Sequence, residues 1–305
     1  MKPLHLVTVR DLTSSQIKEL FETTARLKKE RISRARPLAG KVLGLLFQKP
    51  SVRTRVSFEV GMAQLGGQSL YVGPVELQQG KREAPKDVAR VLSRYLDGIV
   101  ARTFQHSDVE EMAKYSAIPV INGLSDDSHP CQALADLFTV KEKRGKLEGI
   151  TLAYIGDGNN VCHSLLQACA LTGAHLSVAT PAGYAPAVEI VAWSRKQAAK
   201  TGSRILCTQD PGEAVRNADV VYTDVWASMG QEAEKKKRLK IFQPFQINGK
   251  LMRLAPKKAL FMHCLPAHRG EEVTDEVMDS RQSVVYDQAE NRLHVQKAIL
   301  LKVMK

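Results

Sequence analysis

In this sequence a short apolar run is repeatedly followed by a turn and a segment of helical length, and this pattern limits the folds that the chain can adopt. The run 42–47 precedes the segment 51–65, where apolar residues recur at helical spacing. The run 150–155 precedes Gly156-Asp157-Gly158 and a helical segment that ends near Gly173. Strands that alternate with helices form parallel sheets covered on both faces, so the pattern predicts an α/β protein.

The length of the chain predicts that the strand–helix pattern is distributed over two domains. A chain of 305 residues has about the length of two ordinary domains. The segment 141–149 is charged and contains glycine, and it is the predicted boundary. We expect a first domain over 1–140, completed by a C-terminal helix at about 289–305, and a second domain over 150–285. Each is predicted to hold a parallel sheet flanked by helices, with the active site in the cleft between the domains.

Local signals predict further elements. Thr13 and Gln16 form the pattern of a capping box, which predicts a helix that extends to about Lys29. The segment 175–179 is predicted to be the next strand, and later strands are predicted at 220–222 and 260–262.

The charge balance narrows the classes of substrate. Lysine and arginine number 44 against 32 aspartates and glutamates, a net charge of +12 at pH 7. This excess favours an anionic small substrate or a nucleic acid. The basic run 235–238 follows Glu232 and Glu234 at the spacing of helical ion pairs, which predicts a solvated helix face. Because no nucleic-acid reader motif or long apolar run is present, we expect neither nucleic acid nor a membrane as a partner.

Cysteine usage indicates a reducing compartment. The five cysteines are odd in number and include no C-x-x-C pair, which excludes a zinc-finger spacing and disfavours a disulfide framework. The first 20 residues lack the apolar core of a signal peptide and contain acidic residues that transit peptides avoid. We therefore expect a cytoplasmic protein.

The turn after the first predicted strand is typical of a phosphate site. Ser51, Arg53, Thr54 and Arg55 lie where a strand passes into a helix, so hydroxyls and guanidiniums surround free backbone amides at a positive dipole end. The alternative is that the arginines pair with surface carboxylates. That alternative is about as plausible for Arg55, one turn from Glu59, and less so for Arg53.

The segment His129-Pro130-Cys131-Gln132 predicts a helix start at Pro130 with His129 at its mouth. A neutral imidazole there can donate to a carbonyl oxygen, and Gln132 can bind an amide. Taken alone, such a histidine is more often a helix cap or a buried core residue.

A third polar junction follows the strand 150–155. Its Gly-Asp-Gly opening resembles a dinucleotide fingerprint, but Val161 replaces the third glycine and Thr180 stands where an acid is needed, so NAD binding is disfavoured. Asn159 and Asn160 can bind a carboxylate or an ammonium group. Helix capping is the alternative for Asn159.

Two later strands also end in polar residues. Asp224 follows the strand that ends at Tyr222 and suits an amine ligand. Cys264 follows the strand 260–262, where it can be a nucleophile, a polar wall or a structural thiol. Spacing alone favours the structural thiol.

The chain resembles the ornithine carbamoyltransferase family in four segments: PSVRTR at 50–55, HPCQ at 129–132, DVWASMG at 224–230 and HCLP at 263–266. The resemblance extends to GKRE at 80–83, GDGNN at 156–160 and AENRLH at 289–294, and it covers nearly the whole chain. It implies transfer of a carbamoyl group from carbamoyl phosphate to the side-chain amine of L-ornithine, without a metal or an organic cofactor.

The resemblance also implies roles for particular residues. Those implied to contact carbamoyl phosphate are Ser51, Val52, Arg53, Thr54, Gln78, Arg102, His129, Gln132, Cys264, Leu265 and Arg292. Those implied to bind ornithine are Asn160, Asp224, Ser228 and Met229. The implied catalytic residues are Arg102, His129, Asp224 and Cys264. Gln78 matches a position that reaches into a neighbouring subunit's site, which implies a trimer or a multiple of trimers with shared active sites.

One position departs from the family pattern. Val52 stands where many relatives carry threonine, which leaves a backbone amide but removes a hydroxyl. The Ser-Met-Gly loop at 228–230, which separates ornithine users from aspartate users, is intact. Alternatives are a transcarbamoylase for putrescine or N-acetylornithine, and a non-catalytic relative that binds the ligand and regulates a partner.

Overall fold

The computed structural model describes residues 3–30, 35–77, 83–227 and 234–305. The chain forms two compact units, one made of Met1–Phe138 with Glu290–Lys305 and the other of Thr139–Ala289. Within the described ranges, no helix has the length and apolar character needed to cross a membrane.

The first unit is built on a four-stranded parallel sheet with the order β2-β1-β3-β4. The strand β3 is buried along its whole length, as expected for a parallel sheet covered on both faces. The edge strand β2 is partly exposed. The strands are β1 (Val42–Phe47), β2 (Gln68–Val72), β3 (Gly98–Arg102) and β4 (Val120–Leu124).

Helices follow the strands of this unit. The predicted capping box at α1 is confirmed, since Gln16 Oε1 accepts from the Thr13 amide at 2.8 Å and Thr13 Oγ1 accepts from the Gln16 amide at 3.2 Å. The helices are α1 (Ser14–Glu30), α2 (Val52–Gln64), α3 (Pro74–Leu77), α4 (Pro85–Leu92), α5 (His106–Tyr115), the first part of α6 (Pro130–Arg144) and most of α13 (Val285–Met304), with a short 3-10 helix at Val9–Asp11.

The second unit holds a five-stranded parallel sheet with the order β7-β6-β5-β8-β9. The order reverses between β6 and β8, which lie on either side of β5, and such a switch point opens a crevice at the carboxyl ends of the strands. The strands are β5 (Thr151–Ile155), β6 (His175–Ala179), β7 (Ile205–Thr208), β8 (Val220–Thr223) and β9 (Leu260–His263).

The helix α7 begins at this switch point. Asn159 caps it by accepting from the amides of Val161 and Cys162, and Gly173 ends it with a left-handed φ of 77°. The helices of this unit are α7 (Asn160–Thr172), α8 (Val188–Thr201), α9 (Pro211–Val215), α10 (Lys235–Phe242), α11 (Gly249–Leu254) and α12 (Asp275–Met278), with a 3-10 helix at Gln243–Phe245. Two parallel sheets flanked by helices confirm the predicted fold class.

Candidate active site

The turn between β1 and α2 has the geometry of an anion site. Ser51 caps α2, and its Oγ accepts from the Thr54 amide at 3.4 Å and donates to Thr54 Oγ1 at 3.1 Å. The first amides of a helix have no partner within it, so those of Val52 and Arg53 lie at the positive end of the helix dipole. The Val52 side chain is 77% exposed. A phosphate can accept a hydrogen bond from the backbone amide of Val52 whatever the side chain, so valine in place of threonine leaves this contact available.

Arg55 pairs with a surface carboxylate, which was the alternative to phosphate binding. Its Nε donates to Glu59 Oε1 at 2.9 Å, and its guanidinium lies 3.8 Å from the centre of the Tyr71 ring. Arg53 is exposed, and its charge contributes to the lowered pKa of Arg102.

The strand ends β1 and β3 bring further cations to the first unit's site. Lys49 and Arg102 are buried, and neither forms an ion pair within the described ranges. Burial, followed by the charges of Arg292 and Arg53, lowers the pKa of Arg102 to about 10. This site therefore concentrates positive charge, as a binding site for a multiply charged anion requires.

His129 lies at the mouth of α6, which begins at Pro130 as predicted. It is 5% exposed, and its pKa lies well below the usual value because of burial first and then the charges of Arg292, Arg102 and Lys49. The imidazole is therefore neutral at pH 7. A neutral ring carries one N–H donor, and its other nitrogen is an acceptor.

A buried network links the α6 start to the C-terminal helix α13. Arg292 Nη1 donates to Gln132 Oε1, and Arg292 Nη2 lies 3.5 Å from Thr54 Oγ1. Gln132 Nε2 donates to Asp136 Oδ1 at 2.8 Å. These contacts join residues 160 and 238 positions apart in the chain and hold α2, α6 and α13 around one site.

The loop before α6 is fixed by a second buried network. Asn122 Nδ2 donates to the Val7 carbonyl at 2.9 Å, to Ser125 Oγ at 3.1 Å and to the Ser128 carbonyl at 3.3 Å. The loop that carries His129 is thus tied to β4 and to the N-terminal segment.

In the second unit, the carboxyl ends of β8 and β9 bring an acid and a thiol together. Cys264 Sγ donates to Asp224 Oδ1 at 2.9 Å, and Asn159 Nδ2 donates to Asp224 Oδ2 at 2.8 Å. Asn159 thus caps α7 and also orients the carboxylate. Both carboxylate oxygens have donors, and the half-buried Cys264 leaves the pair accessible to a ligand. The thiol therefore has a polar role beside the acid rather than only a structural one.

The turn after β9 is held by a buried histidine and a buried glutamate. His263 Nδ1 accepts from the Leu265 amide at 2.9 Å, and His263 Nε2 lies 3.1 Å from Glu272 Oε1. The same oxygen accepts from the His268 amide at 2.5 Å. Leu265 has a φ of 59°, a left-handed conformation that is costly for a residue with a β-carbon. The histidine and glutamate thus maintain a strained turn next to Cys264.

The basic run at 235–238 differs from its prediction at one residue. Arg238 is 3% exposed, donates to Asp157 Oδ2 and, through Nε, to the Trp226 carbonyl at 2.6 Å. The expectation of a solvated helix face is wrong for Arg238. Sequence spacing indicates only local ion pairs such as that with Glu234, whereas the partner of Arg238 is Asp157, 81 residues away in the sequence. Burial raises the pKa of Asp157, against the opposing charge of Arg238.

A metal is a second possible use of the acid, thiol and histidine. Asp224, His263 and Cys264 each offer one ligand atom within 4.8 Å of the others. However, His263 Nδ1 accepts a backbone hydrogen bond and His263 Nε2 faces Glu272, so both ring nitrogens are engaged. The arrangement therefore favours a hydrogen-bonded network over a metal centre.

Comparison with known proteins identifies the family. Residues 4–142 match the model of the aspartate/ornithine carbamoyltransferase carbamoyl-P binding domain, and residues 148–303 match that of the Asp/Orn binding domain. This chain belongs to the aspartate/ornithine carbamoyltransferase family. An ornithine carbamoyltransferase of Thermococcus kodakarensis is 54% identical over 98% of this chain and 96% of its own length.

Solved structures give the same relationship for this carbamoyltransferase chain. The ornithine carbamoyltransferase from Pyrococcus furiosus matches with a TM-score of 0.96 at 54% identity, over 99% of this chain and 97% of that one. The ornithine carbamoyltransferase from Thermus thermophilus matches with a TM-score of 0.90 at 44% identity and covers 100% of both chains.

The predicted site residues of this carbamoyltransferase fall into two groups. Those in the first unit are Ser51, Val52, Arg53, Thr54, Arg102, His129, Gln132 and Arg292, and those in the second are Asn160, Asp224, Cys264 and Leu265. Asn160 is the first residue of α7, directly after the Asn159 that holds Asp224. Gln78, Ser228 and Met229 lie outside the described residues.

Sequence reasoning missed two kinds of residue at these sites. Lys49 was missed, although its position directly before the PSVRTR segment could have indicated that it belongs to the first unit's site. Glu272, which orients the turn after β9, lies eight residues beyond Cys264 without any recognisable motif.

Proposed function

We propose that this chain transfers the carbamoyl group of carbamoyl phosphate to the side-chain amine of L-ornithine, which gives L-citrulline and phosphate and serves arginine synthesis. The observation that carries this proposal is the identity of 54% to 55% with relatives named ornithine carbamoyltransferase over 98% of the chain. The positive site in the first unit and the acid in the second suit a phosphorylated donor and an amine acceptor.

The reaction forms a bond between the amine nitrogen and the carbamoyl carbon and breaks the bond from that carbon to the phosphate oxygen. Phosphate leaves with the electron pair of that bond, and the proton that the nitrogen loses passes to the departing phosphate or to water. Negative charge grows first on the carbonyl oxygen and then on the departing phosphate. Donors fixed at those positions, for which we propose Arg53, Thr54, Arg102 and His129, stabilise the transition state more than the ground state.

The neutral state of His129 defines its part in this scheme. A ring without a charge donates a hydrogen bond to the carbonyl oxygen and does not protonate it. Its orientation is fixed by the loop that Asn122 holds. Loss of one such donor costs about 3 kcal/mol of transition-state stabilisation.

The acceptor needs an uncharged nitrogen. An amine with a lysine-like pKa near ~10.4 is neutral in only about one molecule in a few thousand at pH 7. We propose that Asp224, oriented by Asn159, binds the ornithine amines, and that Cys264 lies beside the reacting nitrogen. The finer assignments to Gln132, Leu265 and Arg292 on carbamoyl phosphate, and to Asn160, Ser228 and Met229 on ornithine, belong to the same proposal.

The test is a citrulline assay with carbamoyl phosphate and four acceptors: ornithine, putrescine, N-acetylornithine and aspartate. We expect product from ornithine, and loss of most activity in Asp224→Asn. The matched control is Asp287→Asn, which removes an exposed carboxylate 2.9 Å from Lys143 and should leave the rate unchanged. A faster reaction with another acceptor, or no product from any, would overturn the assignment to ornithine.

We also propose a homo-oligomer, a trimer or a multiple of trimers with shared sites. Three valines on one face of α2, Val52, Val56 and Val60, are 77%, 48% and 37% exposed. An apolar face that begins at the phosphate turn is typical of a surface that another subunit covers. The proposed contribution of Gln78 to a neighbouring site supports the same assembly.

The shared site can be tested with hybrids. Arg53→Ala and Gln78→Ala should each be inactive alone. If each site combines Arg53 of one subunit with Gln78 of another, mixed oligomers will regain part of the activity, because some sites receive both intact residues. Light scattering gives the mass of the assembly. Failure of the mixture to regain activity while hybrids form would contradict the shared site.

We propose a cytoplasmic location on the basis of cysteine usage. The five cysteines are free thiols, and three of them are buried. Fractionation of cells with an antibody against the chain provides the measurement.

A further inference from the structure

The segment after the β9 turn carries a second group of possible metal ligands, separate from Asp224 and Cys264. Its members are His268, Glu271 and Glu272, and each offers one ligand atom within 4.8 Å of the others. His268 Nδ1 lies 3.7 Å from Glu271 Oε2 and 3.8 Å from Glu272 Oε2. One imidazole and two carboxylates form a donor set that first-row divalent metals accept.

Glu272 provides the observation that points to a ligand. Its side chain is fully buried, and its Oε1 accepts from the His268 amide at 2.5 Å and lies 3.1 Å from His263 Nε2. Its Oε2 has no hydrogen-bond partner among the described residues and faces the His268 ring. A buried carboxylate oxygen without a donor is costly, and a cation beside it removes that cost.

The distances within the group fit the ligands of an ion better than direct hydrogen bonds. A charged histidine that donates to a carboxylate lies about 2.7–2.9 Å from it, whereas this imidazole lies 3.7 Å and 3.8 Å from the two carboxylates. Ligand atoms about 2.0–2.2 Å from a tetrahedral ion lie about 3.3–3.6 Å from each other. His268 is 43% exposed, so a small movement of its ring brings the three atoms onto one cation that enters from solvent.

The charges around the group also favour a cation. Lys235 Nζ lies 2.8 Å from Glu271 Oε1, which is not the oxygen that faces the imidazole. Arg269 of the same segment is engaged by Asp275 at 2.7 Å and by Asp279 at 2.6 Å. Two carboxylates therefore face each other with one neighbouring ammonium group, and a divalent cation relieves their repulsion.

The backbone of this segment holds the ligands in place. Gln246 Nε2 donates to the carbonyls of Gly270 and Glu271 at 3.1 Å and 2.9 Å. The Ile247 amide donates to the Glu272 carbonyl at 2.9 Å. Because the carboxylates are attached to an ordered backbone, little conformational entropy is lost when a cation binds.

We propose that His268, Glu271 and Glu272 form a binding site for a divalent first-row transition-metal cation, with water completing its coordination. One nitrogen and two oxygens suit cations of the zinc and cobalt kind, whereas Mg²⁺ and Ca²⁺ prefer oxygen ligands alone. The proposal goes beyond the proposed function, because no residue of this site was assigned to either substrate.

The experiment titrates the full-length, metal-free protein with Co²⁺ and measures affinity and stoichiometry by equilibrium dialysis. Absorption spectra are recorded in parallel, because a cobalt–thiolate bond adds a band in the near ultraviolet. The central variants are His268→Leu and Glu271→Gln, which change partly exposed residues and leave the buried glutamate intact. The controls are Cys264→Ser, which removes the nearby thiol, and Glu189→Gln, which changes an exposed glutamate at the start of α8.

We expect one Co²⁺ per chain, without a thiolate band, in the wild type and in both controls. The affinity should fall at least about tenfold in His268→Leu and in Glu271→Gln, because loss of even an indirect partner of a metal ligand costs about 10–100-fold. Lys235→Met removes the competing positive charge and should tighten binding by up to about fivefold.

Unchanged affinity in His268→Leu or in Glu271→Gln would overturn the proposal. So would the absence of bound Co²⁺ from the wild type. A thiolate band, or weaker binding in Cys264→Ser, would place the cation at the thiol and would also overturn it. If one of the two ligand variants does not fold, the other decides. Failure of this proposal leaves the citrulline assay, and with it the proposed function, unaffected.

Discussion

Replacing Arg102 by methionine should stabilise the free protein while it weakens the donor site. Arg102 is 5% exposed, and no partner for its Nε lies within the described ranges. Burial and the neighbouring cations lower its pKa to about 10, which corresponds to about 3 kcal/mol that they cost the charged form. A methionine of similar length removes this cost and keeps most of the apolar contact. Replacing a whole buried ion pair by apolar residues of similar volume is often neutral or raises stability by about 1–4 kcal/mol, and Arg102 has no ion-pair partner among the described residues to lose.

The assay is urea unfolding at constant temperature, with and without carbamoyl phosphate. For the free protein, we expect Arg102→Met to unfold at a higher urea concentration, with a gain of about 1–3 kcal/mol. A ligand at 100 times its Kd stabilises by about 2.7 kcal/mol, so the same concentration should stabilise the wild type and leave the variant nearly unchanged. In the presence of carbamoyl phosphate, the wild type should therefore unfold at a urea concentration equal to or higher than that of Arg102→Met.

Arg90→Met is the matched control. This arginine is exposed, lies 3.1 Å from Asp87 and also faces an aromatic ring at 4.7 Å. Its removal should change stability by no more than about 0.5 kcal/mol, with or without carbamoyl phosphate. If Arg102→Met were less stable than the wild type when free and still stabilised by the donor, the argument from uncompensated charge would be refuted.

Three other substitutions test the remaining contacts. Because the pKa of folded His129 lies well below 6.5, only the unfolded chain binds a proton at this residue just below pH 6.5. The free energy of unfolding should therefore fall by up to about 1.4 kcal/mol for each pH unit of acidification. Urea unfolding at pH 5 and pH 7 should show that His129→Asn lacks this contribution. Arg238→Met should cost about 3–5 kcal/mol by leaving Asp157 buried without its partner, and adding Asp157→Asn should recover part of it; equal midpoints for the wild type and the single variant would contradict this. Gly158→Ala places a β-carbon 2.3 Å from the backbone nitrogen of Pro186, so we expect a loss of about 1–3 kcal/mol, and an unchanged urea midpoint would show that the turn tolerates a side chain.

The strand that its own sequence predicts most directly is the continuously apolar one. The run 42–47 has the bounds of β1, because buried strands of a parallel sheet are uniformly apolar and end at polar turns. The segment 175–179 also has the bounds of β6, although it contains a histidine and a serine. The edge strand β2 gives no such signal. Its residues are half-buried or exposed, so its sequence resembles that of a loop. Its pairing with β1 depends on the sheet and not on its own composition.

In the candidate site, too, local sequence signals predict the positions of residues but not their distant partners. Ser51, His129, Asp224 and Cys264 could be placed at strand ends or helix starts, because the signals for these junctions lie within a few residues of them. Contacts between distant segments could not be placed. Nothing in the local sequence of Arg292 indicates that it donates to Gln132, 160 residues away. Spacing predicts an element and its ends, whereas partners are set by how the elements pack.

One electrostatic arrangement explains several properties of the first unit. Burial, followed by the charges of Arg292, Arg102 and Lys49, lowers the pKa of His129 and keeps it neutral, and burial followed by repulsion from neighbouring cations lowers the pKa values of Arg102 and Lys49. The free site thus stores unfavourable interactions that a dianion relieves, and this relief adds to the binding energy of the anion. The same cations would bind an anion less strongly if carboxylates neutralised them, because the anion would first have to displace those partners. The cost to the free protein and the gain on binding a doubly charged donor are therefore expected consequences of the same choice of residues.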